Sequence, residues 1–259
     1  MKSERRSPLK DSPLRNPGQS VDEQQFDLAY DKVLGPFLAA MLVVLLAALE
    51  WWRHFTGVPP QPWHYTVIAI AVCGYSAWQV YRVWPQVRAL RLAREGERAV
   101  GQYLEHLRES GYQVFHDIPG QGFNVDHVVI GPAGVFTIET KTWSKPLRGE
   151  TRIVVDGERI FANGLEPERN PLIQARAQAT WLHGLLKEST GRAVPVRPAI
   201  LFPGWFVERP PAGQSDVWVL NPKALPAFLG HEPERLSAEE VKLATFHLSR
   251  YVRGSSVKQ

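Results

Sequence analysis

The sequence predicts a mixed α/β domain, a β-sheet with helices on its faces, preceded by two transmembrane helices. Two observations carry this. Two apolar runs almost free of charge lie near the start of the chain, and after them short β-branched strands alternate with amphipathic helical stretches. The chain has 259 residues and a formal net charge of +4, room for an anchor and one domain. Its single cysteine, Cys73, excludes an internal disulfide. The mild positive balance suits an acidic partner, nucleic acid or anionic lipid, although arginines flanking a membrane span give the same balance.

Residues 1–32 mix both charge signs with Pro, Ser and Gln and hold few apolar side chains. Such a segment buries too little to offset the entropy of ordering, so a disordered cytoplasmic tail is expected. Residues 33–86 read as a two-helix anchor. Val33 to Leu49 carries no charge and is followed by Trp51, Trp52 and Arg53, and Tyr65 to Tyr81 lies between Trp63 and Arg82. With the flanking aromatics these give spans at 33–52 and 63–82 and make the lipid bilayer a partner. Basic residues crowd the tail (Lys2, Arg5, Arg6, Lys10, Arg15, Lys32) and follow the second run (Arg82, Arg88, Arg91, Arg94, Arg98), whereas only Arg53 lies between. The charge bias puts both termini in the cytoplasm, an integral protein of the inner or plasma membrane.

Residues 87–259 form the domain. Val100, Leu104 and Leu107 make a helical stripe that Gly111 should stop. YQVFHDI, NVDHVVI and GVFTIETK read as strands, TRIVVDGERIFA as a hairpin about Asp156-Gly157, and NPLIQARAQATWLHGLLKES as a helix with Pro171 in its first turn. VRPAILFPG and DVWVL supply further strands. Ser237 and Glu240 form a capping box for the closing helix.

The chemistry sits in FTIETK, residues 136–141, where Glu139 and Lys141 share one strand face. If GPAG, residues 131–134, connects two antiparallel strands, Ile130 pairs with Val135 and Asp126 falls opposite Glu139. Like charges directly opposed destabilise a sheet, so a compensating cation is required: Lys141, or a divalent metal taking oxygen ligands. Glu97 falls on the inward stripe of the preceding helix, either at its solvated margin or as a third ligand. Glu95 and Glu105 read as surface charges, strand alternation turns His127 to the opposite face in a structural role, and Trp143 is expected to pack under the sheet rather than stack on bases.

GERAVGQYL, NVDHVVIGPAGVFTIETKTWS and NPLIQ resemble the nuclease-related domain (NERD) family of the PD-(D/E)xK nuclease superfamily, over roughly Arg91 to Leu186. The resemblance implies a restriction-endonuclease-like fold and an active site of Asp126, Glu139 and Lys141, with Glu97 as the first-helix acid and Gln174 as the glutamine of the following helix. It implies Mg²⁺ or Mn²⁺ held by Asp126, Glu139 and Glu97, with Lys141 orienting the attacking water and Gln174 bonded to Lys141 or a phosphate. The family often has Gly where this chain has Lys145. The expected function is a membrane-anchored, metal-dependent nuclease acting on nucleic acid, DNA before RNA. The alternative is a non-catalytic nucleic-acid- or protein-binding module of the same fold. Arg148, Arg152, Arg169, Arg176 and Arg192 are candidate phosphate contacts, but acids are interspersed among them.

Overall fold

The computed structural model describes residues 14–59, 62–145, 151–208 and 215–255. The chain divides into two compact units, Val21–Leu92 and a second made of Met1–Ser20 with Ala93–Gln259.

The first unit is helical. Helix α1 (Gln19–Ala29) runs through a π-helical turn, Tyr30–Leu34, into α2 (Gly35–Phe55), and α3 spans Pro62–Glu105 with Pro85 inside it. Gln19–Phe55 is long and apolar enough to cross a membrane, with a mean hydropathy of 2.3 in its most apolar window. Among the described residues it is the one helix that is, not one of two. The expected second span falls short because Tyr65, Tyr75, Ser76, Trp78, Gln79 and Tyr81 dilute its Val, Ile and Ala. It also does not end where expected but continues as α3 into the second unit. Within the first unit the Ser76 hydroxyl donates to the Pro36 carbonyl at 2.9 Å. Nearly all the large apolar side chains exposed among the described residues lie between Phe26 and Trp84.

The tail departs from expectation. Its first thirteen residues, with Lys2, Arg5, Arg6 and Lys10, lie outside the described residues, but the disorder expected through residue 32 does not hold for the remainder. Residues 19–34 are helical because they extend a helix that α2 has already nucleated, and adding residues to a formed helix costs little. Residues 14–20 form a strap on the second unit. Arg15 Nε donates to Asp117 Oδ2 at 2.7 Å with both side chains nearly inaccessible. Asp117 also accepts from the Ser20 amide at 2.9 Å and from Asn124 Nδ2 at 3.0 Å.

The second unit is a mixed sheet between helical layers. Strands β1 (Gln113–Pro119), β2 (Asn124–Gly131) and β3 (Gly134–Thr140) form an antiparallel meander. The sheet continues in parallel through β6 (Val196–Leu201) to β8 (Trp218–Leu220), in the order β1-β2-β3-β6-β8. The central strand β3 is buried along its whole length, as a strand covered on both faces must be.

On one face Val129, Phe136, Ile138 and Leu201 pack under Val100 and Leu104 of α3, the helical stripe foreseen in the sequence, and under Leu225 and Leu229 of α5 (Leu225–His231). On the other, Val128, Ile130 and Val135 meet Leu182 and Leu186 of α4 (Pro171–Thr190) and Leu248 and Val252 of α6 (Ala238–Ser255).

The foreseen punctuation is present. Gly111 takes φ 83° after the 3₁₀ turn that ends the first helix, and Asn170 caps α4 by accepting from the Leu172 amide. Ser237 and Glu240 exchange both capping-box bonds. The hairpin β4 (Arg152–Asp156) and β5 (Arg159–Ala162) turns at Gly157. It leaves the main sheet, however, and pairs in parallel with β7 (Phe206–Glu208) as a separate three-stranded sheet. Ile153 and Ile160 of that sheet pack on Leu172, Phe202 and Trp205, so a third small core lies beside the C-terminal ends of β3 and β6.

Candidate active site

The turn between β2 and β3 sets the site. Ile130 pairs with Val135, as the GPAG reading required, and the ladder runs to His127 opposite Ile138. The connection is tighter than a four-residue loop: Gly131 pairs with Gly134, leaving Pro132 and Ala133 at the tip. Gly131 has to be glycine, because a Cβ there would sit 2.1 Å from the Tyr112 ring. One step beyond the paired ladder, Asp126 reaches across β3, and its Oδ2 accepts from the Thr140 amide at 2.6 Å.

The regular side-chain alternation fails at this point. Val125 and Val128 join the same core, three residues apart on one strand, next to Asp117 with its positive φ of 51°. Asp126 is acted on by two carboxylates, Glu139 on β3 and Glu97 on α3.

Glu139 is buried and fully engaged. Its Oε1 accepts from Lys141 Nζ at 2.5 Å and its Oε2 from Gln178 Nε2 at 2.5 Å. Lys141 Nζ also donates to Gln174 Oε1 at 2.9 Å, the bond expected of Gln174. Helix α4 thus reaches the active strand through two glutamines one turn apart, and Lys141 continues the parallel ladder by donating its amide to the Leu201 carbonyl at 2.9 Å.

Glu97 is buried on α3, while Glu95 and Glu105 are exposed. Its position depends on Gly96. A Cβ at Gly96 would lie 1.6 Å from Thr142 Oγ1, so only glycine lets the helix come this close to the chain leaving the active strand.

Electrostatically the cluster is over-supplied with negative charge. Asp126 keeps some accessible surface, yet loss of hydration around its carboxyl, then the Glu139 and Glu97 carboxylates, push it well above the usual carboxylate range. The Thr140 amide and Lys141 offset this only in part. Hard oxygen donors gathered this way suit Mg²⁺ or Mn²⁺ chemically, and buried Gln178 Oε1 and Thr140 Oγ1 have no hydrogen-bond partner, as at a site that takes a further polar species. Among the described residues, though, no three His, Cys, Asp or Glu are grouped as ready metal ligands. Asp126 and Glu139 would be the ion's holders, with Glu97 beside them.

The bland expectations also have a place in the structure. His127 is fully buried, contacts His116 Nδ1 to Nδ1 at 2.9 Å, and is held neutral by burial and by His116. Trp143 packs on Phe202 with ring centroids 4.8 Å apart. Arg152 pairs with Glu208, Arg176 with Glu158 and Asp216, and Arg192 with Glu240. Arg169 is exposed, and Arg148 lies outside the described residues. Lys145 Nζ donates to the Gly204 carbonyl, tying the segment after the active strand to the small sheet.

Gln178 was not foreseen in the sequence. Its signal was available: it stands four residues after Gln174, on the stripe of Ala175, Ala179 and Leu182 that faces the sheet.

No curated protein and no solved structure matches the chain. A family model described as nuclease-related domain (NERD) matches residues 92–203, a span that contains Glu97, Asp126, Glu139, Lys141, Gln174 and Gln178. Residues 92–203, somewhat under half of the chain, are thus similar to a nuclease-related domain.

Proposed function

We propose that this protein is a membrane-anchored, divalent-metal-dependent nuclease that hydrolyses phosphodiester bonds of nucleic acid, DNA before RNA, on the cytoplasmic side. The observation that carries the reading is the meeting of Asp126, Glu139 and Lys141 at the ends of β2 and β3, under two glutamines of α4. These are the residue types that phosphodiester hydrolysis needs.

Asp126 and Glu139, with Glu97 near, would hold Mg²⁺ or Mn²⁺; bound there, the ion would polarise the scissile phosphate and lower the pKa of a water. Lys141 brings an ammonium against the cluster. It leaves Glu139 or Gln174 to donate to the phosphate as negative charge builds in the in-line transition state, and Gln174 returns it afterwards. Glu139 keeps Lys141 aimed before substrate arrives.

Purified full-length protein with Mg²⁺ or Mn²⁺ is expected to cleave DNA or RNA, and Lys141→Ala to lower the rate by at least about a hundredfold, the scale for removing one electrostatic donor. Equal background activity in both proteins across substrates and metals would sink the reading. The second reading, a non-catalytic module, is favoured by the engagement of both Glu139 oxygens, each of which already accepts one bond, from Lys141 and from Gln178.

The anchor is a two-helix insertion of residues 33–52 and 63–82 in the bilayer, with both termini cytoplasmic. Its support is the apolar surface of α2 and of the first half of α3: Leu42, Leu45 and Leu49 on one, Val67, Ile68 and Ile70 on the other, all exposed. So continuous an apolar surface is not left to water in a soluble protein. Alkaline carbonate washing should leave the protein in the membrane pellet, and its appearance in the supernatant would remove the anchor.

A further inference from the structure

Gln178 is 1 % exposed, in a helix stripe where Leu or Ala is the usual occupant. Its Nε2 donates to Glu139 Oε2 at 2.5 Å and lies 3.2 Å from the Asn124 carbonyl. Both neighbours are acceptors, so the orientation of the amide is fixed; reversed, Oε1 would face two oxygens. Oε1 is then left buried with no donor, which is unfavourable. A side chain kept for packing alone would be replaced by an apolar one at no loss. Asn124 is itself held, since its Nδ2 donates to Asp117 Oδ1 at 3.0 Å. The amide therefore has a rigid seat on the strand that carries Asp126.

We infer that Gln178 is a positioning residue that clamps the Glu139 carboxylate. Lys141 holds one oxygen and Gln178 the other, so the plane of the carboxylate is held, and each oxygen keeps a further lone pair for a ligand. Rotation of the side chain about its last bond exchanges the two oxygens and costs little in a free carboxylate. The clamp removes that freedom before any ligand arrives. The inference rests on the nuclease reading of this site and adds to it a residue that touches neither substrate nor metal.

The test is Mn²⁺ binding by calorimetry on the full chain in detergent, with thermal unfolding measured on the same samples. Four proteins are compared: wild type, Asp126→Asn, Gln178→Met and Gln178→Asn. Methionine keeps the length and removes the amide. Asparagine keeps the amide and withdraws it by one methylene, and it decides the matter if the methionine variant does not fold. Wild type is expected to bind, and both Gln178 variants to bind about 10–100-fold more weakly at temperatures where each is still folded, whatever its thermal midpoint. A packing role gives a lower midpoint at unchanged affinity, and unchanged affinity overturns the clamp. Wild type that binds no better than Asp126→Asn overturns the metal site itself and the clamp with it, so the two failures are distinguishable.

Discussion

Arg15→Met is expected to destabilise the second unit by about 3–5 kcal/mol, the range for removing one partner of a buried ion pair. The size comes from what stays behind. Asp117 is 1 % exposed, and without the guanidinium its charge is met only by the Ser20 amide and Asn124 Nδ2. Adding Asp117→Asn should recover most of the loss. Asparagine tolerates the positive φ of this position, keeps the Ser20 bond through its one amide oxygen, meets Asn124 with its NH2 once the Asn124 amide turns over, and carries no charge. Denaturant unfolding of the detergent-solubilised full chain, followed by tryptophan fluorescence, measures all four corners of the cycle. A loss below about 1 kcal/mol for Arg15→Met, the scale of a surface pair, would mean that the strap is not docked in solution.

Asp126→Asn is expected to act in opposite directions on stability and on function. In chelator near neutral pH the variant should be more stable than wild type by about 1 kcal/mol, the lower end for relieving a poorly compensated buried group, because its carboxyl keeps some access to solvent. The pH dependence follows from the raised affinity of Asp126 for its proton in the folded state. A native carboxyl that binds its proton more tightly than the unfolded one contributes stability that is lost as pH rises from about 4, the ordinary carboxyl value. The advantage of the variant should therefore grow above that pH and vanish below it. The same change should abolish Mn²⁺ binding and cleavage. Parallel stability curves for the two proteins from acid to neutral pH would show that Asp126 does not share its environment with Glu139 and Glu97.

The site was legible in the sequence as far as local geometry reaches. A four-residue turn motif fixed the pairing of Ile130 with Val135, and pairing fixes which side chains lie opposite; from there Asp126, Glu139 and Lys141 follow. Gln174 was found through the family resemblance and bonds where that implied. Gln178 was hidden because a glutamine on a helix reads as a surface residue until the neighbouring strand is known.

The Arg15–Asp117 contact was out of reach for a different reason. It joins residues 102 apart, between a segment with the composition of a disordered tail and an aspartate in a left-handed conformation, and no periodicity encodes either. The small sheet was half legible. Its hairpin was marked by Asp156-Gly157, but β7 is three residues long and pairs only because the third core draws it in. The continuity of α3 through Pro85 was not legible because the apolar run ends at Tyr81 and the helical stripe of the domain begins only at Val100. A proline inside a helix removes one hydrogen bond, and a long helix survives that loss.

The strap also has a bearing on membrane topology that hydropathy does not supply. Arg15 precedes the apolar helix and Asp117 follows both long helices, yet the two side chains share a hydrogen bond. A bilayer cannot lie between them. If Gln19–Phe55 crosses a membrane, the chain must return before Ala93, and the number of crossings between Ser20 and the domain is even. The first half of α3 would then be the segment to supply the return passage proposed for it, whatever its own affinity for lipid.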